Sequence, residues 1–288
     1  MARTFKAAQF FPPGIIPLQV LRMARQGDIL PHQHEFSELV IITGGQGTHA
    51  TGTEEYPVLA GDVFVIRGSS AHSYRNTQDL SLINIMFDPD QLQIPAWDIR
   101  QLPGYHALFM LEPHYRARHK FSSRLRLPID DLMCVDALAS KMESELQARQ
   151  PGFQYLAVAH FMAITGFLSR CYARARTPSA RSLLRLGNVI SYLEQNLTQK
   201  ITIQQLAETA HMSESNLRRA FHETTGYAPI DYLIRLRVAR AVKLLRDGNT
   251  RISEVAWQAG FEDSNYFTRQ FRKITGHSPR AFSKSFHY

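Results

Sequence analysis

Cysteine is nearly absent from this chain: its 288 residues include only Cys134 and Cys171. A disulfide framework is excluded, and a reducing cytosol is the expected compartment. No unbroken apolar run reaches the roughly 18 residues of a membrane span, so no membrane partner is expected. No signal-peptide pattern is expected either, because the early apolar stretch FFPPGIIPLQV is interrupted by three prolines. Excess charge is missing from one part of the chain. Before Arg176 there are 16 Lys+Arg against 16 Asp+Glu, whereas from Arg176 onward there are 17 against 9. A neutral first part joined to a basic second part points to a sensing or catalytic module attached to one for a polyanion.

The composition is 44% hydrophobic, enough for a buried core in each of two domains. Between residue 20 and about 87, short β segments such as Glu38 to Thr43, Asp62 to Arg67 and Leu80 to Phe87 alternate with glycines at 44, 45, 47, 52 and 61. This spacing predicts a small sandwich or barrel. Within it, PHQHEFSELVIITGGQG (31–47) sets His32, His34 and Glu38 at a spacing that a metal-dependent enzyme could use. From Asp130 the period becomes helical: Leu132, Val135, Leu138, Ala139, Met142 and Leu146 mark one face, then Leu156, Ala159, Ala163 and Phe167 mark another. These two helices can pack on the β module or form a dimer surface.

The remainder is helical and repeats itself. Leu206, Ala207 and Ala210 match Val255, Ala256 and Ala259 at an offset of 49; Leu217, Arg219, Phe221, Gly226 and Pro229 match Phe267, Arg269, Phe271, Gly276 and Pro279 at an offset of 50. Each copy reads as a short helix, a tight turn capped by Ser213 or by Asp263 or Ser264, and a second helix. Leu217, Phe221 and Thr224 face inward in the first copy, leaving Ser215, Arg218, Arg219 and His222 outside. In the second, Phe267, Phe271 and Ile274 face inward, leaving Asn265, Thr268, Arg269 and Arg272. Arginine suits guanine O6 and N7, asparagine suits adenine, and hydroxyls suit bases or phosphates. Recurrence of the same donors at matching positions points to double-stranded DNA. A helix opened by Pro229 and closed by Gly248 joins the copies, and Arg235, Arg237, Arg240 and Lys243 on it would add charge near the phosphates.

On these residues, and on the string Gly260-Phe261, Ser264, Tyr266-Phe267, Arg269, Phe271, Gly276, Pro279, the last hundred residues resemble the DNA-binding domain of the AraC family of bacterial transcription regulators. The resemblance implies an α+β chain with four parts. They are a cupin-like effector-binding β-barrel (1–128), a helical dimerisation segment (129–175), a linker (176–182) and an all-α DNA-binding domain (183–288). Its two helix-turn-helix motifs would occupy about 202–225 and 252–275, joined by a linker helix at 229–247. The N-terminal part is similar to the family's cupin domain. Gly27, His32, His34, Glu38 and Gly45 match the first cupin metal motif, with a leading gap one residue shorter than usual; Gly61, His72 and Asn76 match the second, with Arg67 and Ser69 departing from it.

His32, His34, Glu38 and His72 thus make a ligand set for a divalent transition metal on paper, although the same side chains can hydrogen-bond each other or a polar effector without one. No cofactor is required by this reading. The stretch from His32 to Leu125 most resembles the sugar-responsive branch of the family, regulators of L-rhamnose use. His32, His34, Glu38, Arg67, His72, Tyr74 and Asn84 are the expected effector pocket. The expected protein is a cytoplasmic, homodimeric, non-enzymatic activator of a carbohydrate operon that engages promoter DNA, a sugar-like effector and RNA polymerase. Two alternatives stay open: a cupin oxygenase or isomerase with a DNA-binding appendage, and a regulator that needs no effector.

Overall fold

The computed structural model describes residues 3–52, 54–92, 94–96, 98–113, 125–175, 177–246 and 251–284, in two compact units, Met1–Gly187 and Asn188–Tyr288. Arg176 at the head of the expected linker, residue 247 at the end of the expected linker helix, Gly248 and residues 114–124 of the sugar-regulator-like stretch lie outside the described residues.

The first unit is built on an eight-stranded sheet: β1 (Arg3–Phe5), β2 (Leu18–Met23), β3 (Ile29–His34), β4 (Ser37–Thr51), β5 (Glu54–Leu59), β6 (Asp62–Ile66), β7 (His72–Phe87) and β8 (Leu125–Arg126). The order is β1-β3-β7-β4-β6-β8, with β2 added to β7 and β5 to β4. β4 and β7 pair antiparallel from Ser37 opposite Phe87 to Thr51 opposite His72, and each is long enough to take different neighbours at its two ends. Alternation of side chains then gives the sheet two buried faces. One holds Val40, Ile42, Tyr56, Val58, Phe64, Ile66, Tyr74, Leu80 and Leu82. The other holds Leu39, Ile41, Val63, Ile83 and Ile85, all nearly inaccessible to solvent.

The β4–β7 ladder slips between Ile42 and Thr48. Gly45 takes a φ of 66° there, and a Cβ on it would fall 2.2 Å from the Asp79 carbonyl oxygen, so only glycine fits. Before the slip Ile42 stands opposite Leu82; after it Thr48 stands opposite Arg75 and His49 opposite Tyr74. A one-residue slip reverses which side chains of β4 face inward, and His49 therefore points to the face of Val40 and Ile42.

Two helices accompany the sheet, α1 (Ile129–Ala148) and α2 (Phe153–Ala173). Arg22 on β2 donates to Asp136 at 2.6 Å and Glu143 at 2.8 Å on α1, and Phe87 meets Phe161 of α2 with ring centroids 5.1 Å apart. α1 buries Leu132, Val135, Ala139, Met142 and Leu146, as its period predicts. α2 buries Ala157, Phe161, Ile164 and Leu168, not the expected stripe of Leu156, Ala159, Ala163 and Phe167. The reason is composition: α2 is apolar on nearly every side, and period alone cannot choose among its faces. Its 21 residues are long and apolar enough to cross a membrane by length and composition alone, although the sequence holds no unbroken apolar run of about 18 residues. Gln154, His160, Thr165 and Ser169 interrupt the run. In the fold, α2 packs on α1.

A short helical turn, Pro103–Tyr105, continues as a π-helical segment, His106–Leu111. His106 is buried there and donates through Nε2 to the Arg100 carbonyl at 2.7 Å. Burial pushes its pKa down to about 4, the Arg100 charge adding to that effect and the hydrogen bond opposing it. Residues 178–182, read as linker, are instead the first turns of α3 (Pro178–Gln195). Thr177 Oγ1 accepts the Ala180 amide at 3.3 Å, proline suits the first helical position, and Ala180 and Leu183 are buried. The boundary between the units, at Gly187 and Asn188, lies within this helix.

The second unit continues with α4 (Ile203–Ala210), α5 (Glu214–Thr225), α6 (Pro229–Arg246), α7 (Ile252–Gln258), α8 (Ser264–Thr275) and α9 (Pro279–Lys284). Leu206, Ala207, Ala210, Leu217 and Phe221 are buried in the first copy, and Val255, Ala256, Ala259, Phe267 and Phe271 in the second. The likeness extends to local bonding. Thr225 Oγ1 donates to Phe221 O at 2.7 Å and Thr275 Oγ1 to Phe271 O at 2.8 Å, each just before a left-handed glycine, Gly226 or Gly276, that stops the helix.

Candidate functional site

The first candidate site sits where β3, β4 and β7 meet. β3 pairs His32 with His72, and β4 carries Glu38 on the same side as Val40. His34 Nε2 lies 3.1 Å, and His72 Nε2 3.7 Å, from Glu38 Oε2. Donor atoms of these three residues all fall within 4.8 Å of one another. His32 lies against His72, ring centroids 4.2 Å apart and planes tilted by 57°, but stands outside that mutual set, so the expected four-ligand group is three ligands and a neighbour. Asn84, paired with Val40 across β4 and β7, acts on Glu38, and Tyr74 packs on the ring of His49. Arg67 is directed to Met110 Sδ at 3.7 Å.

Each histidine is oriented by a backbone carbonyl. His32 Nδ1 lies 3.0 Å from Leu30 O, His34 Nδ1 2.7 Å from Phe36 O, and His72 Nδ1 3.2 Å from Ser70 O. A carbonyl only accepts, so Nδ1 carries a proton, and in the neutral ring that tautomer leaves Nε2 as a lone pair. His34 Nε2 is buried and has no hydrogen-bond partner: Glu38 Oε2 is close, but the contact lacks the angle of a hydrogen bond. Burial opposes ionisation of Glu38, yet its close approach to His34, and then to His72 and Asn84, holds its carboxyl below the usual range. Burial pushes His72 down to about 4, against the pull of Glu38 and with the His32 and His34 charges adding to it. Nδ1 bonded to carbonyls with Nε2 directed inward is how histidines present themselves to a metal. Donors about 2.05 Å from a tetrahedral ion stand roughly 3.3 Å apart, and the two measured separations bracket that spacing. The donor set fits a divalent ion.

His49 completes this cluster and was missed from sequence. It is fully buried, its ring centroid 5.5 Å from that of His72, with Nδ1 2.5 Å from the Tyr56 hydroxyl. Simple alternation from Val40 would turn it outward; the doublet of glycines at 44 and 45 is the signal for the slip that turns it in.

The second candidate site is the outer face of α5 and α8. Ser213 and Asp263 cap these helices, each accepting the amide three residues on, Asn216 and Tyr266. Ser215, Arg218, Arg219 and His222 are exposed on α5, as are Asn265, Arg269 and Arg272 on α8; Thr268 is half-buried. Arg218 pairs loosely with Glu214 at 3.7 Å, and Arg219 Nη2 rests 3.5 Å from Asn216 Oδ1. The Arg269 guanidinium lies 5.9 Å from the Tyr266 ring centroid. The Thr268 hydroxyl donates to Ser264 O at 2.9 Å, so its proton is committed to the helix.

One cation expected near phosphate is employed otherwise. Arg237 is half-buried and donates to Leu197 O at 2.8 Å and Gln199 O at 2.7 Å, tying α6 to the loop before α4. Arg235 lies 4.0 Å over the Tyr227 ring, whereas Arg240 and Lys243 are exposed.

Two helix pairs of one plan, each displaying unspent cationic and amide donors on its second helix, define a DNA-binding protein of the helix-turn-helix class. Comparison with known proteins narrows the class. Residues 206–285 match the family model for a helix-turn-helix domain, and residues 22–162 match that for an AraC-like ligand binding domain. Curated relatives include the HTH-type transcriptional activator RhaR of Salmonella schwarzengrund, 31% identical over 249 residues that cover 86% of this chain and 84% of that one. RhaR of Mannheimia succiniciproducens is 27% identical over 270 residues, covering 94% and 92%. Among solved structures, the DNA-binding domain of AdpA in complex with a target DNA is 31% identical with a TM-score of 0.35, covering 36% of this chain and 93% of that one. The chain belongs to the AraC family of transcription regulators, and its relatives are named as transcriptional activators, not enzymes.

Proposed function

We propose that this regulator is an activator that works in the cytoplasm as a homodimer and binds promoter DNA through α5 and α8 of each subunit, with RNA polymerase as its further partner. The observation that carries the reading is the duplication itself: Arg219 and Arg269 occupy matching exposed positions on two capped helices. α6 has 18 residues, about 27 Å of helix, a length suited to holding two reading helices near successive major grooves. Selection from a random DNA pool is expected to recover, for each subunit, two short sequence blocks one helical turn, about 10 base pairs, apart. Recovery of a single block would sink the two-helix reading.

The dimer reading is supported by the outer side of α1 and α2, where Ile129, Met133 and Tyr155 are 66%, 64% and 81% exposed. The effector in this proposal is sugar-like and is recognised by the polar groups around His32, His34, His49, His72, Glu38 and Asn84. That class rests on the sequence resemblance to regulators of L-rhamnose use.

His34, Glu38 and His72 would hold a divalent ion, which when bound would supply a Lewis-acidic contact for an effector hydroxyl. Protein purified without added metal is expected to carry about one such ion per chain by elemental analysis, falling to background in His34→Ala. Metal-free protein that still responds to effector would overturn the metal assignment while leaving the regulator intact.

A further inference from the structure

A cavity of about 360 Å³ opens in the first unit between the end of β7, the connection that follows it, the π-helical segment and α2. It shares no residue with the histidine cluster or with the effector pocket expected from sequence. Phe87, Leu92, Ile94, Phe109, Phe161 and Met162 make its walls apolar, and Arg100, Arg170 and Asp98 stand among its polar lining.

Gly166 is the informative residue. Glycine inside a helix costs about 1 kcal/mol relative to alanine, so its presence needs a reason. Elsewhere in this unit the reason is close backbone contact: a Cβ on Gly104 would lie 2.0 Å from Ser169 O, and one on Gly187 would lie 2.4 Å from Pro103 O. A Cβ on Gly166, in the middle of α2, would meet nothing within 4 Å, and Gly166 lines the cavity. The absent side chain leaves open the volume that a guest would fill.

We infer that this cavity binds a small amphipathic organic anion: one apolar ring system or short chain carrying a single carboxylate or sulfonate. The lining is mostly apolar with its charged groups few, which suits a polyol poorly, and of its two hydroxyls, those of Tyr105 and Thr165, Thr165 Oγ1 already donates to Phe161 O at 2.8 Å. Arg170, exposed in the last turn of α2, has no carboxylate partner among the described residues and is placed to meet the anionic group. The volume falls within the usual range of small-molecule sites, about 300–1,000 Å³. This site is independent of the sugar-effector assignment.

The test uses the full chain and two fluorescent probes of similar shape, the anion 1-anilinonaphthalene-8-sulfonate and the neutral N-phenyl-1-naphthylamine. Saturable binding of both at one site is expected. Gly166→Phe should weaken both at least tenfold without lowering the thermal midpoint, and Met162→Trp, filling the same space from the neighbouring turn, should do likewise. Arg170→Gln should weaken only the anionic probe, by three- to tenfold. Unchanged binding in both filling variants overturns the site. Equal effects of Arg170→Gln on the two probes, or none on either, overturn the anionic class of ligand.

Discussion

Arg269→Ala is expected to reduce specific promoter affinity by roughly 10- to 150-fold, the equivalent of about 1.4–3 kcal/mol for one lost bidentate base contact. Arg219→Ala should do the same at the other half of the operator. The two side chains lie on separate helix pairs with separate buried cores, so their effects should add in free energy, and the double variant should lose about 10²- to 10⁴-fold. Titration of labelled operator DNA measures this. Salt dependence then divides the possible contacts: loss of a phosphate contact reduces the salt slope by about one, whereas loss of a base contact relaxes selectivity at one position. Neither arginine has a strong competing bond in the free protein, since Arg219 holds Asn216 only at 3.5 Å and Arg269 leans on a ring. If both variants bind as tightly as the parent, α5 and α8 are not the reading helices.

Gly260→Ala is expected to unfold the second unit at a much lower temperature. Gly260 has a φ of 93°, and a Cβ there would lie 2.6 Å from Leu197 O and 2.9 Å from both Arg237 Nε and Thr198 Cα. Left-handed backbone costs an L residue about 1–2 kcal/mol, and forced repacking adds about 1–3 kcal/mol. For a unit of this size the sum corresponds to a fall of roughly 10–30 °C in its melting temperature. Gly226 and Gly276 are the controls. Both have positive φ, but a Cβ on either would meet nothing within 4 Å, so alanine there should show the conformational cost alone. Calorimetry should show the transition of the second unit moving while that of the first stays. Equal effects at all three glycines would refute the role assigned to the packed turn.

Much of this was legible in the sequence because the helix pairs are local. Leu217, Phe221 and Thr224 recur at helical spacing, and that spacing alone fixes which side of α5 is buried. The caps Ser213 and Asp263 are equally local. His32, His34 and Glu38 lie close along the chain, and motif spacing brought in His72. His49 was hidden because its direction depends on a slip in a ladder with residues 25 or more positions away, which no single-strand pattern reports. α2 misled for the opposite reason: with apolar residues on every side, its period was equally compatible with several faces. Arg237 looked like one more surface cation, since nothing in its neighbourhood along the chain announces the carbonyls of Leu197 and Gln199. The cavity could not be anticipated at all, because it is a property of how four separate segments fail to fill the space between them.

Thr268 carries a consequence for operator chemistry. With its hydroxyl proton committed to Ser264 O, it would, on the proposed reading, offer the major groove a methyl group and lone pairs but no donor. The complementary surface on DNA is the C5-methyl of a pyrimidine. At the base pair that faces Thr268, α8 would therefore gain from a pyrimidine C5-methyl, and cytosine methylated at C5 would be bound better than unmodified cytosine.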